Sequence, residues 1–228
     1  MRLPFSLVIY TFAVSSSFLL SRPLSAQIIK GAVMAGFNIS QVDGDEVYGF
    51  HKMGLNIGAA AITPIGKHFD FTLETIYNQK GSYQKPQYND SLTGEYSLKL
   101  NYVEVPVLFH YNDKAGLVSF GLGLSWGRLT GVKEYEHGHQ ILTTTLSNGP
   151  YSKNDFDALF DVSFRIWKRL RGDVRYAYSF IKIRTREFHP PGVNPWTRYQ
   201  YNNLWSFRVV YVINEQIAER IKRGASLR

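Results

Sequence analysis

His137 and His139 stand one residue apart, just after Glu134 and Glu136. Imidazole nitrogens and carboxylate oxygens are the ligands a divalent metal takes. The spacing supplies no third fixed ligand, so a solvated polar loop is expected here and no metal. Asp43-Gly44-Asp45-Glu46 and Asn89-Asp90 offer oxygens, but without the ligand spacing of a calcium loop; turns are expected instead. His51, Ser40, Asp43, Ser91 and His189 are each able to serve as nucleophile, base or orienter, yet they form no motif. No catalytic residue, no cofactor and no enzymatic activity are therefore expected. Lys182, Arg184, Arg186 and Arg198 form a basic cluster of a different kind. Guanidinium groups meet phosphate bidentately, so this cluster is a candidate lipopolysaccharide contact.

A second set of charges recurs at even spacing. Asp70 and Glu74 lie four apart, Asp157, Asp161 and Arg165 likewise, and Asp173 and Arg175 two apart; Arg208 falls in a similar run. Even spacing puts charges on one face of a β-strand. The alternate positions are apolar. Val118, Phe120, Leu122, Leu124 and Trp126 oppose Ser119, Gly121, Gly123, Ser125 and Gly127. Phe156 to Ile166 opposes Asp157, Asp161 and Arg165 in the same way.

Eight such runs are legible, at about 29–39, 51–63, 68–80, 96–111, 117–130, 155–167, 170–183 and 201–213. In the fourth the apolar phase moves from Leu98, Leu100 and Tyr102 to Val103, Val105, Val107 and Phe109, and a β-bulge beside Pro106 is expected. Connections alternate between short, as at 64–67, 112–116 and 168–169, and long, as at 40–50, 82–95, 131–154 and 184–200. An even barrel in a bacterial outer membrane has this arrangement, with short periplasmic turns and long outer loops. His68 and His110 then fall at periplasmic strand ends.

The polar face is made of Gly, Ser and Ala with charges of both signs, which suits a narrow lumen rather than a wet sheet surface. Asp70, Glu74, Asp157, Asp161 and Asp173 are expected to meet Arg165, Arg175 and Arg208 there. The reading is an all-β, eight-stranded antiparallel up-and-down transmembrane barrel over 27–213.

The ends have their own character. Met1-Arg2, an apolar stretch to Leu20, Pro23 and Leu24-Ser25-Ala26 read as a secretory signal covering 1–26. Residues 214–228 read as a basic periplasmic tail, with Arg220, Lys222, Arg223 and Arg228 beside Ile217, Ala218 and Ile221 at helical spacing. The formal net charge is +8, and there is no cysteine. The positive balance suits anionic lipid or lipopolysaccharide. Nucleic acid is set aside, because no aromatic partner motif accompanies the basic residues and export is expected.

Several segments resemble one family. They are Gly36 to Asp45, Tyr77-Asn78-Gln79-Lys80-Gly81-Ser82, Leu98 to Leu108, Phe120 to Leu129 and Arg175-Tyr176-Ala177-Tyr178-Ser179. Together they are similar to the PorT-like outer-membrane β-barrel proteins of the Bacteroidetes, over nearly all of the chain after the signal. The resemblance implies a barrel in the bacterial outer membrane and no particular activity. The expected function is a filled barrel acting as a structural or interaction protein of the envelope, in contact with outer-membrane lipid and lipopolysaccharide. Envelope protein partners would be reached through the outer loops or the C-terminal tail. The alternatives are an accessory subunit of a larger secretion or uptake machine and a lipid-modifying barrel enzyme.

Overall fold

The computed structural model describes residues 29–85, 95–189, 192 and 194–214. The signal at 1–26, Asn89-Asp90, Ser91 and the basic tail beyond Asn214 lie outside them. The strands are β1 (Lys30–Asp43), β2 (Lys52–Ile65), β3 (Phe69–Gln84), β4 (Tyr96–Asn112), β5 (Val118–Glu136), β6 (His139–Gln140), β7 (Asn154–Trp167), β8 (Leu170–Ser179), β9 (Arg184–Phe188) and β10 (Trp196–Val212).

Eight of these make a closed antiparallel ring in the order β1-β2-β3-β4-β5-β7-β8-β10, with β10 returning to pair with β1. Closure leaves no open edge, which a strand in hydrocarbon cannot tolerate. The two short strands are additions at the long-loop end: β6 pairs with the tip of β5, and β9 with the first residues of β10. The barrel wall thus continues into segments that sequence alternation assigned to loops, because β5 runs on to Glu136 and β10 starts at Trp196.

The two faces are sharply different. Leu122 and Leu124 are 67% and 60% exposed, and Phe120, Phe160, Phe207 and Val209 also face out. A continuous apolar belt of this kind around a closed barrel matches contact with lipid. Their neighbours Ser119, Ser125, Asp157, Asp161, Ser206 and Arg208 are buried in the lumen.

The expected bulge beside Pro106 is corrected by β4. Its even-numbered residues point inward from Tyr96 to Leu108 without a break. Pro106 removes one donor from the β3 ladder, yet Leu73↔Val107 and Ile76↔Glu104 keep one register across the gap. The irregularity is opposite Asn101 and Tyr102, where β5 carries Thr130 as an extra residue. What changes along β4 is the surroundings. Low down, Val103, Val107 and Phe109 face lipid. Higher up, the strand stands in water, so apolar residues turn in and Lys99 and Asn101 turn out.

The lumen is consequently layered. Near the short turns charges share the bore with an apolar cluster of Ala32, Met34, Ile76, Val210 and Val212. Above this comes an apolar layer of Leu108, Leu159, Ala177 and Leu204. A second charged layer follows. The long-loop end is closed by a packed cluster of Val42, Val47, Tyr96, Leu98, Leu100, Tyr102, Leu129, Tyr151 and Ile183.

Candidate functional site

The lower charged layer crosses the whole bore. Arg175 on β8 donates to both oxygens of Glu74 on β3, at 2.8 and 2.9 Å. In a ring of eight these strands are diametrically opposed. Arg175 also holds Asp161 at 2.7 Å, and Arg208 holds Asp173 through Nε at 2.8 Å and reaches Glu74 at 3.2 Å. All five groups are buried. Such charges persist out of water only when paired and hydrogen-bonded in this way. Gly121 makes room for them: a Cβ there would overlap the Asp161 carboxylate and the His110 ring.

His110 belongs to the same layer, not merely to a strand end. Its Nε2 is 2.9 Å from Asp161 Oδ1, and its Nδ1 is 3.1 Å from the Thr72 hydroxyl. Hydroxyl, imidazole and carboxylate in line are the geometry of a nucleophile, base and orienter. Here the adjoining cavity is about 50 Å³, lined by Asp70, Asn112, Ser119 and Arg171 among others. That is room for a few waters, not for a substrate.

Of the upper charged layer, Asp157 alone is among the lumen charges expected from sequence. Lys80 on β3 places Nζ 2.8 Å from Glu104, 2.9 Å from Asp155 and 2.6 Å from Asp157, with all four side chains buried. Asn78 donates to Glu104, Asn202 to Asp155, and Ser179 to both aspartates. The three carboxylates converge as a metal site would, but the ammonium of Lys80 occupies their centre. Lys80, Glu104 and Asp155 lie an even number of residues from Asn78, Tyr102 and Asp157, so the two-residue period carries them to the lumen. The stagger between strands, which sets who meets whom across the bore, was the missing information.

The eight charges expected in one network therefore separate. Glu74, Asp161, Asp173, Arg175 and Arg208 come together. Asp157 is corrected to the Lys80 layer. Asp70 accepts from Asn112 at 2.7 Å nearer the short-turn mouth, and Arg165 is half-buried at the same end, cross-strand from Arg171.

The expected basic cluster is also redistributed. Arg184 turns inward and donates to Glu134 at 3.0 Å and to the Tyr151 hydroxyl at 2.7 Å. Burial works against ionisation of Glu134, but the Thr144 hydroxyl and Arg184 outweigh it and hold its carboxyl below the usual range. Arg198 approaches Glu46 at 3.8 Å, and Arg186 lies near enough to Asp45 to favour its charged form. Alternation along the β9–β10 hairpin explains this, since Arg184, Arg186 and Arg198 share the face directed at the mouth. Lys182 alone keeps to the outside, over the Tyr199 ring at 4.5 Å.

The remaining candidates do not converge. Glu134 is committed to Arg184, while His137 and His139 are exposed. Ser40 donates to the Gly81 carbonyl, Asp43 accepts from Gln41 and Asn203, His51 is exposed, and His189 lies beside Glu187. His68 stays at the short-turn end against Tyr111.

The family model described as outer membrane protein beta-barrel domain matches residues 29–184. No curated protein matches the sequence. Among solved structures, Neisserial surface protein A is similar at 13% identity and TM-score 0.48, covering 80% of this chain and 97% of its own. The attachment invasion locus protein Ail of Yersinia pestis gives 14% and 0.47, covering 81% and 98%. The outer membrane protein OprG from Pseudomonas aeruginosa gives 12% and 0.40, covering 82% and 97%.

Proposed function

Because the chain belongs to the outer membrane protein beta-barrel domain family, and so sits in the bacterial outer membrane, we propose that it is a closed, non-conducting barrel that serves the envelope as a structural and interaction protein. The observation that carries this is the bidentate Arg175–Glu74 pair spanning the bore, with the Lys80 cluster and the apolar outer plug above it. An eight-stranded interior is just wide enough for side chains to fill. Here they fill it with paired charges, which hold one another in place. The long loops and the β9–β10 hairpin then become the working surface.

On this reading the protein is not an enzyme and needs no cofactor. The Thr72–His110–Asp161 alignment serves the lumen network, since Asp161 is clamped by Arg175. Within the family, the segments Gly36 to Asp45 and Leu98 to Leu108 support placing the chain near the PorT-like barrels.

Planar bilayers and vesicle swelling test the closed state. Full-length protein refolded into vesicles should give no stable conductance steps and no swelling in arabinose. A reproducible unitary conductance from the wild-type barrel would overturn the proposal.

A further inference from the structure

A basic surface lies on the opposite wall from the expected cluster. Lys99 on β4 and Lys133 on β5 are direct cross-strand partners on the outward phase. Like charges so placed repel one another. Lys52, at the head of β2, reaches past β3 to donate to Ser97 Oγ at 2.9 Å. Its ammonium pKa is lowered, first by burial and then by repulsion from Lys99. Among the described residues no carboxylate pairs with any of the three. Arg184, Arg186 and Arg198, by contrast, have Glu134, Asp45 and Glu46 near them.

The height of the cluster matters as much as its charge. Val103 is the uppermost large apolar residue that β4 exposes to lipid. Lys99 is four residues further along, a rise of roughly 10 Å once strand tilt is allowed for. Tyr83 and Tyr135 flank Ser97 one row above, as amphipathic rings do at a headgroup boundary. Three lysines therefore gather just outside the hydrocarbon, at the long-loop end, and among the described residues the nearby Glu95 is turned to the Tyr83 hydroxyl rather than to any of them. The anionic groups at that depth of an outer leaflet are the phosphates of lipopolysaccharide.

We propose that Lys52, Lys99 and Lys133 form a binding site for the phosphate of a phosphorylated lipid A headgroup. The phosphate relieves the repulsion between Lys99 and Lys133, and the outward wall of β3 to β5 takes the acyl chains. This rests on the outer-membrane placement of the barrel and not on whether its lumen conducts.

The test uses full-length protein refolded in neutral-lipid vesicles and titrated with phosphorylated or dephosphorylated lipid A, read by native mass spectrometry and tryptophan fluorescence. Wild type should prefer the phosphorylated form, and each of Lys52→Gln, Lys99→Gln and Lys133→Gln should weaken that preference by roughly fivefold. A control variant carrying Lys67→Gln, Lys114→Gln and Lys168→Gln, all on the short turns, should bind as wild type does. Heat-dependent gel mobility reports folding of each variant. Equal binding of both lipids by wild type, an undiminished preference in the folded Lys52/Lys99/Lys133 triple variant, or an equal loss in the control would each overturn the site.

Discussion

At the scale of single residues, burial decides which ionisable groups matter. Asp45, in the loop after β1, is 4% exposed and accepts from the Val47 amide at 2.9 Å. Burial raises its pKa from 3.8 to about 6, against the opposing pull of hydrogen bonds and of Arg186. A carboxyl whose folded pKa is raised binds its proton more tightly when folded. Its contribution is therefore most favourable below the unfolded pKa and is lost as pH rises from about 4 through 6. The loss is at most about 3 kcal/mol. Asp45→Asn keeps an acceptor for Val47 and has no charge to bury. Hydrogen exchange at residues 44–51 should thus be faster at pH 7.5 than at pH 5 in wild type, after correction for the intrinsic rate. The variant should show one protection level at both pH values.

At the scale of the element, β4 carries two environments in one uninterrupted pleat. Val107 faces lipid, and Leu100, seven residues nearer the long-loop end, is fully buried in the outer plug. Val107→Lys should cost about 2–4 kcal/mol, less if its depth is nearer an interface, through transfer of a charge into hydrocarbon. That cost should vanish in a urea-solubilised reference and depend on bilayer thickness. Leu100→Ala should cost about 2–5 kcal/mol by opening a cavity, whatever the bilayer. Measuring both by equilibrium unfolding in vesicles of two thicknesses separates them: only the first should respond to thickness. On β5, Leu122→Arg belongs with the first series, whereas Gly121→Val should fail by displacing Asp161 and His110 from the lumen.

At the scale of the whole molecule, the cross-bore pairs tie strands that share no backbone hydrogen bond. Arg175→Met leaves Glu74 and Asp161 short of a partner in a dry interior and should cost about 3–5 kcal/mol. The double variant Arg175→Met with Glu74→Leu should recover most of that loss, and a double-mutant cycle on unfolding in vesicles measures it. If the double variant is no more stable than the single, the pair does not couple β3 to β8. Much of this architecture was legible in sequence. The alternation of Leu122 and Leu124 with Gly121 and Gly123 fixes two faces, because side chains along a strand have a two-residue period. The alternating short and long connections fix an up-and-down arrangement, because antiparallel strands bring the chain back to the same end at every second connection. Lumen-facing phase was equally legible for Glu74, Asp161, Arg175 and Arg208. Tertiary structure alone decided the pairing of these charges, the Lys80 cluster, the inward turn of Arg184 and the lysines gathered at Lys99. Each depends on the stagger between strands and on the level at which the wall leaves the bilayer, and neither quantity is written in the period of any one strand.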